Sequence, residues 1–384
     1  MSVALVCACA YAALLALRGA CAWRELRRQH ARPVPPSARR MQDVAVLQPI
    51  LGGDPRLRDV LGATVHALPL ARFHWLLDAD DAQALAAVAA VRAAYPGAAI
   101  DVCVLPPAPD GCNPKIYKLE SALPQVQAPV CLVLDDDATL SADALARLVA
   151  ALDAADLATA LPGYRDDGER WPGRLLACFV NDNAALTYLA PLAWAPPVSI
   201  NGMCYALRTE RLRAIGGFSP QRGALADDLA MADHVRAQGG RIAQTIAPVA
   251  VRTSLDGPAH YVRQMHRWML FATLLLHRQP PRTRVAIVLL HGLPPLLLWA
   301  MLVALAWRPG LAGAVAVAGV LALRAWVPWA LQRGLGVASA PRPVLSLLAE
   351  LLQPLHVLHA VCVRTVRWRS RRYRVHADGR FHAA

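Results

Sequence analysis

Cysteine pairs at the spacing of metal-binding motifs are absent from this sequence. Its nine cysteines are scattered, with no Cys-x-x-Cys pair and no histidines at zinc-ligand spacing. This pattern argues against a disulfide framework and a structural zinc site, and it fits a domain in the reducing cytosol. We interpret each cysteine as a small buried hydrophobic residue.

Charge is scarce in the middle of the chain. The net charge is +13, and residues 23–40 and 364–374 together hold twelve arginines and one glutamate, which account for +11 of it. Both basic stretches flank hydrophobic segments, as the positive-inside rule and attraction to anionic lipid predict. No nucleic-acid-binding signature accompanies the arginines, so we predict a membrane partner and no nucleic acid.

Apolar residues make up 56% of the 384 residues, a high share for a soluble protein. Residues 1–22 are almost wholly apolar except Arg18, and we expect a transmembrane anchor whose C-terminal end faces the cytoplasm. A signal peptide is the alternative, since Ala20-Cys21-Ala22 resembles a cleavage site. The arginines follow the apolar run instead of preceding it, which favours an anchor. Residues 23–43 form a basic linker.

The C-terminal third predicts a membrane region at residues 283–363. Within it, residues 285–307 and 311–331 are long enough to span a bilayer, and Pro294 and Pro295 should kink the first span. Residues 345–363 are interrupted by polar residues. If that segment crossed, the basic tail at 364–384 would lie outside, against the positive-inside rule. Either the segment is re-entrant or interfacial, which we favour, or the tail breaks the rule.

Between the membrane segments, residues 44–268 alternate short apolar runs with longer amphipathic stretches, as in a βαβ series. We predict an α/β domain with a mostly parallel, Rossmann-like sheet. A short apolar segment at 269–282 should then lie in the membrane interface. The predicted strands are 44–48, 73–77, 100–105, 130–134 and 199–207. The predicted helices are 55–67, 82–94, 142–152, 208–215 and 227–238.

Three acidic clusters follow apolar runs in this domain, at residues 78–81, 135–137 and 227–228. Carboxylates at strand ends converge at one edge of an open α/β sheet, where ligands bind. So many carboxylates in one cleft require a cation, and Mg²⁺ or Mn²⁺ carrying a nucleoside diphosphate supplies one. The clusters therefore predict a nucleotide-sugar site.

Two of the clusters suggest specific roles. Asp135 and Asp137 would point to the same side of an extended chain, with Asp136 pointing away, and we predict that they bind the metal. The alternative is a loop with aspartates at turn positions and Ser141 capping the next helix. Asp228 is the predicted general base, although carboxylates at a helix start are also explained by the helix dipole.

Lysine is almost absent, since Lys115 and Lys118 are the only lysines of the chain. We predict that Lys115 contacts the phosphates or the nucleotide, and that Lys118 is a solvated helix residue. Gln264, Arg267 and Trp268 fall on neighbouring faces of a short helix. Arg267 would stabilise diphosphate charge and Trp268 would pack against an acceptor or lipid, with an interfacial Trp/Arg belt as the alternative.

The motifs in their order resemble the ceramide glucosyltransferases and the related hopanoid-associated glycosyltransferases, which have a GT-A catalytic domain in a membrane protein. The resemblance covers Val44 to Arg374. The matching stretches are Leu47 to Pro55, Asp80-Asp81, Asn113-Pro114-Lys115, Asp135-x-Asp137, Gly202-Met203, Gly216-Gly217-Phe218, Leu225 to Asp228, Gln264-x-x-Arg267-Trp268 and Trp368 to Arg374.

The resemblance implies a role for each matching position. Asp81 would contact the nucleoside, with Pro49 in the same donor site, and Asp135 and Asp137 would hold the metal and diphosphate. Asp228 would be the base. The side chains that would close over the diphosphate and the acceptor are those of Gln264, Arg267 and Trp268.

Together these features predict an inverting, metal-dependent enzyme of the bacterial inner membrane. It would transfer one hexose from a UDP-sugar to a membrane lipid at the cytoplasmic face. The resemblance implies ceramide as the first choice of acceptor. A hopanoid-type acceptor is the alternative, and a processive polysaccharide synthase shares the same motif series. A membrane-anchored nucleotide-binding or scaffold protein is disfavoured, because all expected carboxylates are present.

Overall fold

The computed structural model describes residues 2–33, 41–337, 340–368, 371–375 and 381–383. Residues 34–40 of the basic linker and parts of the basic tail lie outside this range. The chain divides into two compact units, a helical unit (residues 1–30, 166–195 and 255–366) and a sheet unit (residues 31–165, 196–254 and 367–384).

The helices have defined boundaries in both units. In chain order they are α1 (Val3–His30), α2 (Leu57–Ala67), α3 (Ala82–Ala94), α4 (Pro114–Ala122), α5 (Ala142–Ala151), α6 (Trp171–Tyr188), α7 (Thr209–Ala214), α8 (Asp227–Ala237), α9 (Pro258–Arg278), α10 (Pro281–Ile287), α11 (Leu293–Trp307), α12 (Leu311–Gly334) and α13 (Pro343–Cys362). Asp81, Asn113 and Ser141 cap α3, α4 and α5 by accepting backbone N–H donors.

The strands of the sheet unit are β1 (Val44–Pro49), β2 (Arg72–Asp78), β3 (Ile100–Leu105), β4 (Val130–Leu134), β5 (Ala138–Leu140), β6 (Leu157–Tyr164), β7 (Cys204–Arg208) and β8 (Ile242–Val251). In the described part of the chain they form one sheet in the order β3-β2-β1-β4-β7-β6-β8-β5. The basic tail adds the short strands β9 (Thr365–Trp368), β10 (Arg371–Val375) and β11 (Phe381–Ala383).

The α/β architecture confirms the predicted fold class. Among the described strands of this sheet, four neighbouring pairs are parallel and three are antiparallel. Strand β4 pairs antiparallel with β7, β7 with β6, and β5 with β8. The chain leaves β6 for α6 and re-enters the sheet through β7 at the same end, so these neighbours run in opposite directions. Strands β5, β6 and β8 were not predicted.

The core of the sheet unit lies between the central strands and the helices α4 and α8. Strands β4 and β6 are buried along their whole length, as expected for strands covered on both faces. Apolar side chains of the strands meet those of the two helices in one cluster, which includes Leu47, Val133, Ile116, Leu119, Met231 and Val235. This core fixes the strand ends that carry the acidic clusters.

Among its described residues, the helical unit contains five helices that are long and apolar enough to cross a membrane. They are Val3–His30, Trp171–Ala193, Pro281–Trp307, Leu311–Gly334 and Pro343–Cys362. The first, third and fourth correspond to the predicted anchor and spans, the last to the segment predicted as re-entrant or interfacial. Trp171–Ala193 was not predicted.

The two prolines of the third helix sit beside a local change of helix type. Residues Val288–Gly292 form a π turn directly before Pro294 and Pro295. Proline has no N–H to donate, so its helix must re-satisfy the freed carbonyls, and a π turn is one way to do so. The structure therefore places an irregular helical turn just before the prolines, and the kink itself stays a prediction.

Candidate active site

Lys115 lies at the centre of the acidic clusters. Its Nζ is 2.8 Å from Asp135 Oδ1, 3.1 Å from Asp227 Oδ2 and 2.9 Å from the carbonyl oxygen of Gly202. Burial lowers the pKa of Lys115, but the negative charges of Asp135 and Asp227 outweigh burial and raise it well above its usual value. Lys115 therefore stays positively charged, and its ammonium group joins two of the three acidic clusters.

Helix α4 holds Lys115 in this position. Its N-cap Asn113 accepts from the backbone N–H of Lys115 at 3.0 Å and donates through Nδ2 to the carbonyl of Ala224 at 2.9 Å. The backbone N–H of Asn113 donates to the carbonyl of Arg222. The cap thus ties α4 to the loop that precedes Asp227, and this explains why lysine follows an Asn-Pro dipeptide here.

The Asp135-Asp136-Asp137 cluster is a turn between β4 and β5, and not the extended segment that we predicted. The backbone N–H of Ala138 donates to the carbonyl of Asp135, which closes the turn. Asp136 accepts from the backbone N–H of Leu51 at 2.6 Å, so this carboxylate fixes the loop after β1. Asp136 therefore has a structural role in this turn, and the metal role of its two neighbours stays a prediction.

Asp137 lies in a strongly negative environment. Burial together with the charges of Asp135 and Asp136 raises its pKa to about 7, although the hydroxyl of Thr253 donates to its Oδ2 at 2.6 Å. Asp54 adds a further negative charge and accepts from the Ser254 hydroxyl at 3.0 Å. The negative charge of these carboxylates therefore exceeds what the hydroxyl groups of Thr253 and Ser254 can stabilise.

Asp135 and Asp137 fit a hard divalent cation. Mg²⁺ and Mn²⁺ are held by one or two carboxylates, with waters and substrate phosphates completing the shell. In the described ranges of the chain, no three His, Cys, Asp or Glu side chains form a closed metal cage. A cation here would share its ligands with a bound diphosphate.

Asp228 is the second residue of helix α8 and follows Asp227, the partner of Lys115. Burial and the charge of Asp227 raise its pKa to about 7, while a backbone hydrogen bond from Leu229 to its Oδ1 at 2.7 Å acts in the opposite direction. A carboxyl group with a pKa near neutrality can accept a proton from a hydroxyl group, which is the requirement for a general base.

The backbone of Gly202 approaches Asp228 closely. A Cβ atom added to Gly202 would lie 2.8 Å from the Cβ of Asp228, closer than carbon atoms pack. The carbonyl of the same glycine accepts from Lys115. Glycine at this position therefore lets one backbone segment contact both the cation and the carboxylate.

Pro49 is the last residue of β1, and Asp81 lies three residues after the end of the neighbouring parallel strand β2. Asp81 accepts from the backbone N–H of Gly52 at 2.7 Å and from that of Ala84 at 2.9 Å. It caps α3 and also fixes the loop after β1, where Pro49 is half-buried. The structure accounts for Asp81 locally and leaves a nucleoside contact as a prediction.

Lys118 is not the solvated residue that we predicted. Its side chain is 2% exposed, and its Nζ lies 2.8 Å from Asp78 Oδ2 and 3.0 Å from the carbonyl of Ile50. A buried ammonium requires such partners because desolvation of an isolated charge is costly. Lys118 thus links α4 to the ends of β1 and β2, one helical turn after Lys115.

Gln264, Arg267 and Trp268 belong to the helical unit, where they lie on α9. Arg267 Nη2 donates to Gln264 Oε1 at 3.0 Å. Trp268 stacks on Phe179 of α6 with the ring centroids 6.3 Å apart. Helix α9 continues to Arg278, so the predicted interfacial segment 269–282 begins within the helix that carries these residues.

Sequence reasoning missed several residues that shape these sites. Asp54 was named only within the matching stretch Leu47 to Pro55, and neither Thr253 nor Phe179 lies in any motif. Thr253 is brought to Asp137 by the pairing of β5 with β8, and Phe179 reaches Trp268 because α6 packs against α9. Both contacts join residues far apart in sequence, so no local signal could identify them.

A solved structure shares the fold of this chain. A mannosyltransferase from Pyrobaculum calidifontis in complex with GDP-Man and Mn²⁺ aligns with 91% of this chain and 99% of its own length, at 18% identity and a TM-score of 0.52. Glucosyl-3-phosphoglycerate synthase from Mycobacterium tuberculosis, in complex with Mn²⁺, UDP and phosphoglyceric acid, aligns less closely, at 16% identity and a TM-score of 0.35. That match covers 59% of this chain and 77% of the synthase.

No curated protein sequence matches the chain significantly. The family model of glycosyl transferase family 21 matches residues 2–381, almost the whole chain. With the GT-A-like sheet and its acidic strand ends described above, this match makes the protein a glycosyltransferase. The chain belongs to glycosyl transferase family 21.

Proposed function

We propose that the protein is an inverting, metal-dependent hexosyltransferase that moves one sugar from a UDP-sugar to a membrane lipid. The observation that carries the proposal is the cluster around Lys115, in which a fixed cation joins two acidic clusters and Asp228 lies beside it with a pKa near 7. This arrangement would supply the three parts that sugar transfer needs, namely carboxylates for a metal ion, a cation for phosphate and a base.

The donor would bind at the ends of β1, β2 and β4. Asp135 and Asp137 would hold Mg²⁺ or Mn²⁺, which supplies positive charge to the diphosphate as the sugar leaves. Lys115 would turn from Asp135 towards a phosphate oxygen while keeping Asp227 and the Gly202 carbonyl as partners. Asp81 and Pro49 would contact the nucleotide, as the sequence resemblance implies.

Asp228 would act as the general base. Its carboxylate accepts the proton of the acceptor hydroxyl as that oxygen attacks the anomeric carbon from the face opposite the diphosphate. The bond from the anomeric carbon to the phosphate oxygen breaks as the new glycosidic bond forms, so the configuration inverts. Gln264, Arg267 and Trp268 would stabilise the departing diphosphate and pack against the acceptor.

A lipid acceptor is supported by the helical unit. Five of its helices are long and apolar enough to cross a membrane, and the motif order resembles enzymes that glycosylate ceramide or hopanoids. Ceramide is our first choice and a hopanoid-type lipid the second. A processive polysaccharide synthase is disfavoured, because its polymer would need a pore built from more helices.

The chain would cross the membrane three times. The crossing segments would be α1, α10 together with α11, and α12. Both basic stretches would then lie at the cytoplasmic face of a bacterial inner membrane. Helix α13 would then not cross. Near its start the Ser346 hydroxyl donates to Asp182 of α6, and just after its end the Thr365 carbonyl accepts from His266 of α9 at 3.1 Å. Both ends of α13 are thus tied to helices that the chain reaches directly from the sheet.

The experiment is transfer by the purified protein in lipid nanodiscs, with ceramide or a hopanoid as acceptor. UDP-glucose, UDP-galactose, UDP-glucuronate, UDP-N-acetylglucosamine and GDP-Man are tested separately with Mn²⁺. We expect one UDP-sugar to give a monoglycosylated lipid, detected by mass spectrometry, and Asp228→Asn to abolish it. Asp233→Asn on the same helix, where Asp233 pairs with Arg236, is the matched control and should remain active. An active Asp228→Asn variant would overturn the assigned base.

A further inference from the structure

We propose that α6 is a re-entrant membrane helix, which enters and leaves the bilayer by the face on which the sheet lies. We further propose that it presents Phe179 to the lipid acceptor beside Trp268. The topological part depends only on the fold. The acceptor part rests on the proposed function, so the two parts have separate experiments.

The strands on either side of α6 fix its topology. Strand β6 ends at Tyr164 before α6, and β7 begins at Cys204 after it. The two strands pair antiparallel, with Leu157 opposite Leu207 and Thr159 opposite Tyr205. The end of β6 and the start of β7 therefore lie at the same end of one sheet, so a single membrane crossing between them is impossible.

The same sheet end carries the active-site acids. Leu134 at the end of β4 pairs with Cys204, and the backbone N–H of Asp135 donates to the carbonyl of Met203 at 2.9 Å. Strand β8 ends beside β6, with Val251 opposite Tyr164, and the chain then continues into α9. The chain thus leaves the catalytic end of the sheet both for α6 and for the helix that carries Trp268.

By length and composition, α6 with the helical turn after it is nevertheless apolar enough to enter a membrane. Trp171–Ala193 has a mean hydropathy of 1.2 in its best window, and 18 helical residues extend about 27 Å. The 15 residues between Tyr188 and Cys204 can reach roughly 50 Å when extended, so they are long enough to return to the sheet. If α6 enters the bilayer and the following segment returns to the sheet, both the hydropathy of α6 and the pairing of β6 with β7 are explained.

Two exposed tryptophans mark the ends of this excursion. Trp171 at the start of α6 is 51% exposed, and Trp194 just after the following helical turn is 47% exposed. Tryptophan is enriched at the headgroup level of bilayers, because its ring is apolar and its N–H seeks a polar partner. In a re-entrant segment both tryptophans lie at the same interface.

Polar groups inside the helical unit hold α6 in place. Gln332 near the end of α12 donates to Asp182 Oδ1 at 2.9 Å, and Ser346 near the start of α13 donates to Asp182 Oδ2. Half of the best apolar window of Trp171–Ala193 is buried, against 22–33% for the other four apolar helices. Re-entrant backbone and charged groups are tolerated at membrane depth where protein covers them.

Phe179 is the α6 residue best placed to contact an acceptor. Its ring stacks on Trp268 at an interplanar angle of 26°, and both residues are partly exposed. A partly exposed aromatic pair binds an apolar chain or the apolar face of a lipid headgroup. The resulting surface consists of Phe179 and Trp268, and the partner that it fits is a lipid of the cytoplasmic leaflet.

The scarcity of lysine gives a direct topology experiment. Arg170→Lys before α6 and Pro196→Lys after it place single amines at exposed positions, while the native Lys115 and Lys118 are held in ion pairs. Arg308→Lys in the exposed segment between α11 and α12 is the matched control for the opposite face. A membrane-impermeant amine reagent is applied to inside-out and to right-side-out vesicles, and labelled sites are identified by mass spectrometry against the unsubstituted protein.

We expect the amines introduced by Arg170→Lys and by Pro196→Lys to be labelled in inside-out vesicles alone, and the amine introduced by Arg308→Lys in right-side-out vesicles alone. Labelling at the first two positions from opposite faces would overturn the re-entrant topology. Should Pro196→Lys fail to accumulate, Ala193→Lys, also exposed, replaces it with the same expected result.

The acceptor role of Phe179 is tested by kinetics in nanodiscs. We expect Phe179→Ala to raise the KM for the lipid acceptor by at least about tenfold, with the KM for the UDP-sugar and the hydrolysis of the donor by water unchanged. Phe179→Tyr should restore the wild-type KM, and Val180→Ala, at the next half-exposed position, is the control. An unchanged acceptor KM in Phe179→Ala, or an equal rise in the donor KM, would overturn the role. If the wild-type protein transferred no sugar to any lipid acceptor tested, the proposed function itself would be refuted.

Discussion

Substitution of Gly202 by alanine tests whether the position of Asp228, the proposed base, controls the transfer rate. The new Cβ would lie 2.8 Å from the Cβ of Asp228 and 3.4 Å from its Oδ2. Carbon atoms in contact are about 3.5–4.0 Å apart, so one of the two segments must move by about 0.7 Å or more. Both carbons are attached directly to backbone, and no rotamer change relieves the clash.

Displacement of this size should reduce kcat by about 10- to 100-fold, because a shift of about 1 Å at a catalytic group can cost about 10²-fold. Overpacking should also lower the free energy of unfolding by about 1–3 kcal/mol. The assays are steady-state transfer at saturating substrates and thermal unfolding in detergent.

Gly223→Ala is the matched control for this prediction. Gly223 lies in the same unit with no atom within 4 Å of an added Cβ, and its backbone lies outside the left-handed region. We expect wild-type kcat and a change of stability below about 0.5 kcal/mol. A folded Gly202→Ala variant with wild-type kcat would refute the reasoning that Asp228 must stay where this glycine allows it.

Four further predictions follow from the same contacts. Asp228→Asn should stabilise the protein by up to about 4 kcal/mol above pH 7 and by little near pH 4, measured by thermal unfolding, because a folded-state pKa raised to about 7 makes the charged carboxylate destabilising once pH exceeds its unfolded pKa. Transfer activity should fall as pH drops below 7, in a pH–rate profile, because the base becomes protonated. Lys118→Met should lower the free energy of unfolding by about 3 kcal/mol, and the Lys118→Met/Asp78→Asn double variant should recover part of it; equal instability of both would contradict the ion-pair explanation. Chelation by EDTA should abolish transfer and added Mn²⁺ or Mg²⁺ should restore it, whereas full activity in EDTA would contradict the metal role of Asp135 and Asp137.

Local patterns predicted the first half of the sheet well. Strands β3 and β4 and helix α3 have the predicted boundaries, because each is a short apolar run or an amphipathic stretch with clear ends. Strands β6 and β8 were missed. All eight residues of β6 are buried, so the strand has no polar alternation, and it contains a proline and a glycine.

The candidate site was predictable in composition and less so in geometry. The carboxylates and Lys115 were identified from the sequence, since aspartates after apolar runs indicate strand ends. The turn at Asp135 to Asp137 depends on the pairing of β5 with β8, which joins residues more than 100 positions apart. The burial of Lys118 depends on Asp78, 40 residues earlier, so a lysine on a helix could not be recognised as buried.

Helix α6 shows the same limit for membrane topology. Asp182 and the neighbouring asparagines interrupt its hydropathy, so the sequence pattern does not predict a membrane helix. In the structure Asp182 is bonded to α12 and α13, and the pairing of β6 with β7 requires the chain to return to the sheet end that it left. Only contacts between distant segments carry that information.

The stereochemistry of the lipid product tests the central claim most directly. The sugar in UDP-glucose and in UDP-galactose is α-linked to the diphosphate, so a single displacement with Asp228 as the base yields a β-linked sugar. We predict one β-linked hexose per lipid, identified by mass spectrometry and by the anomeric proton coupling in NMR. An α-linked product, or a polymer of the sugar, would contradict the account.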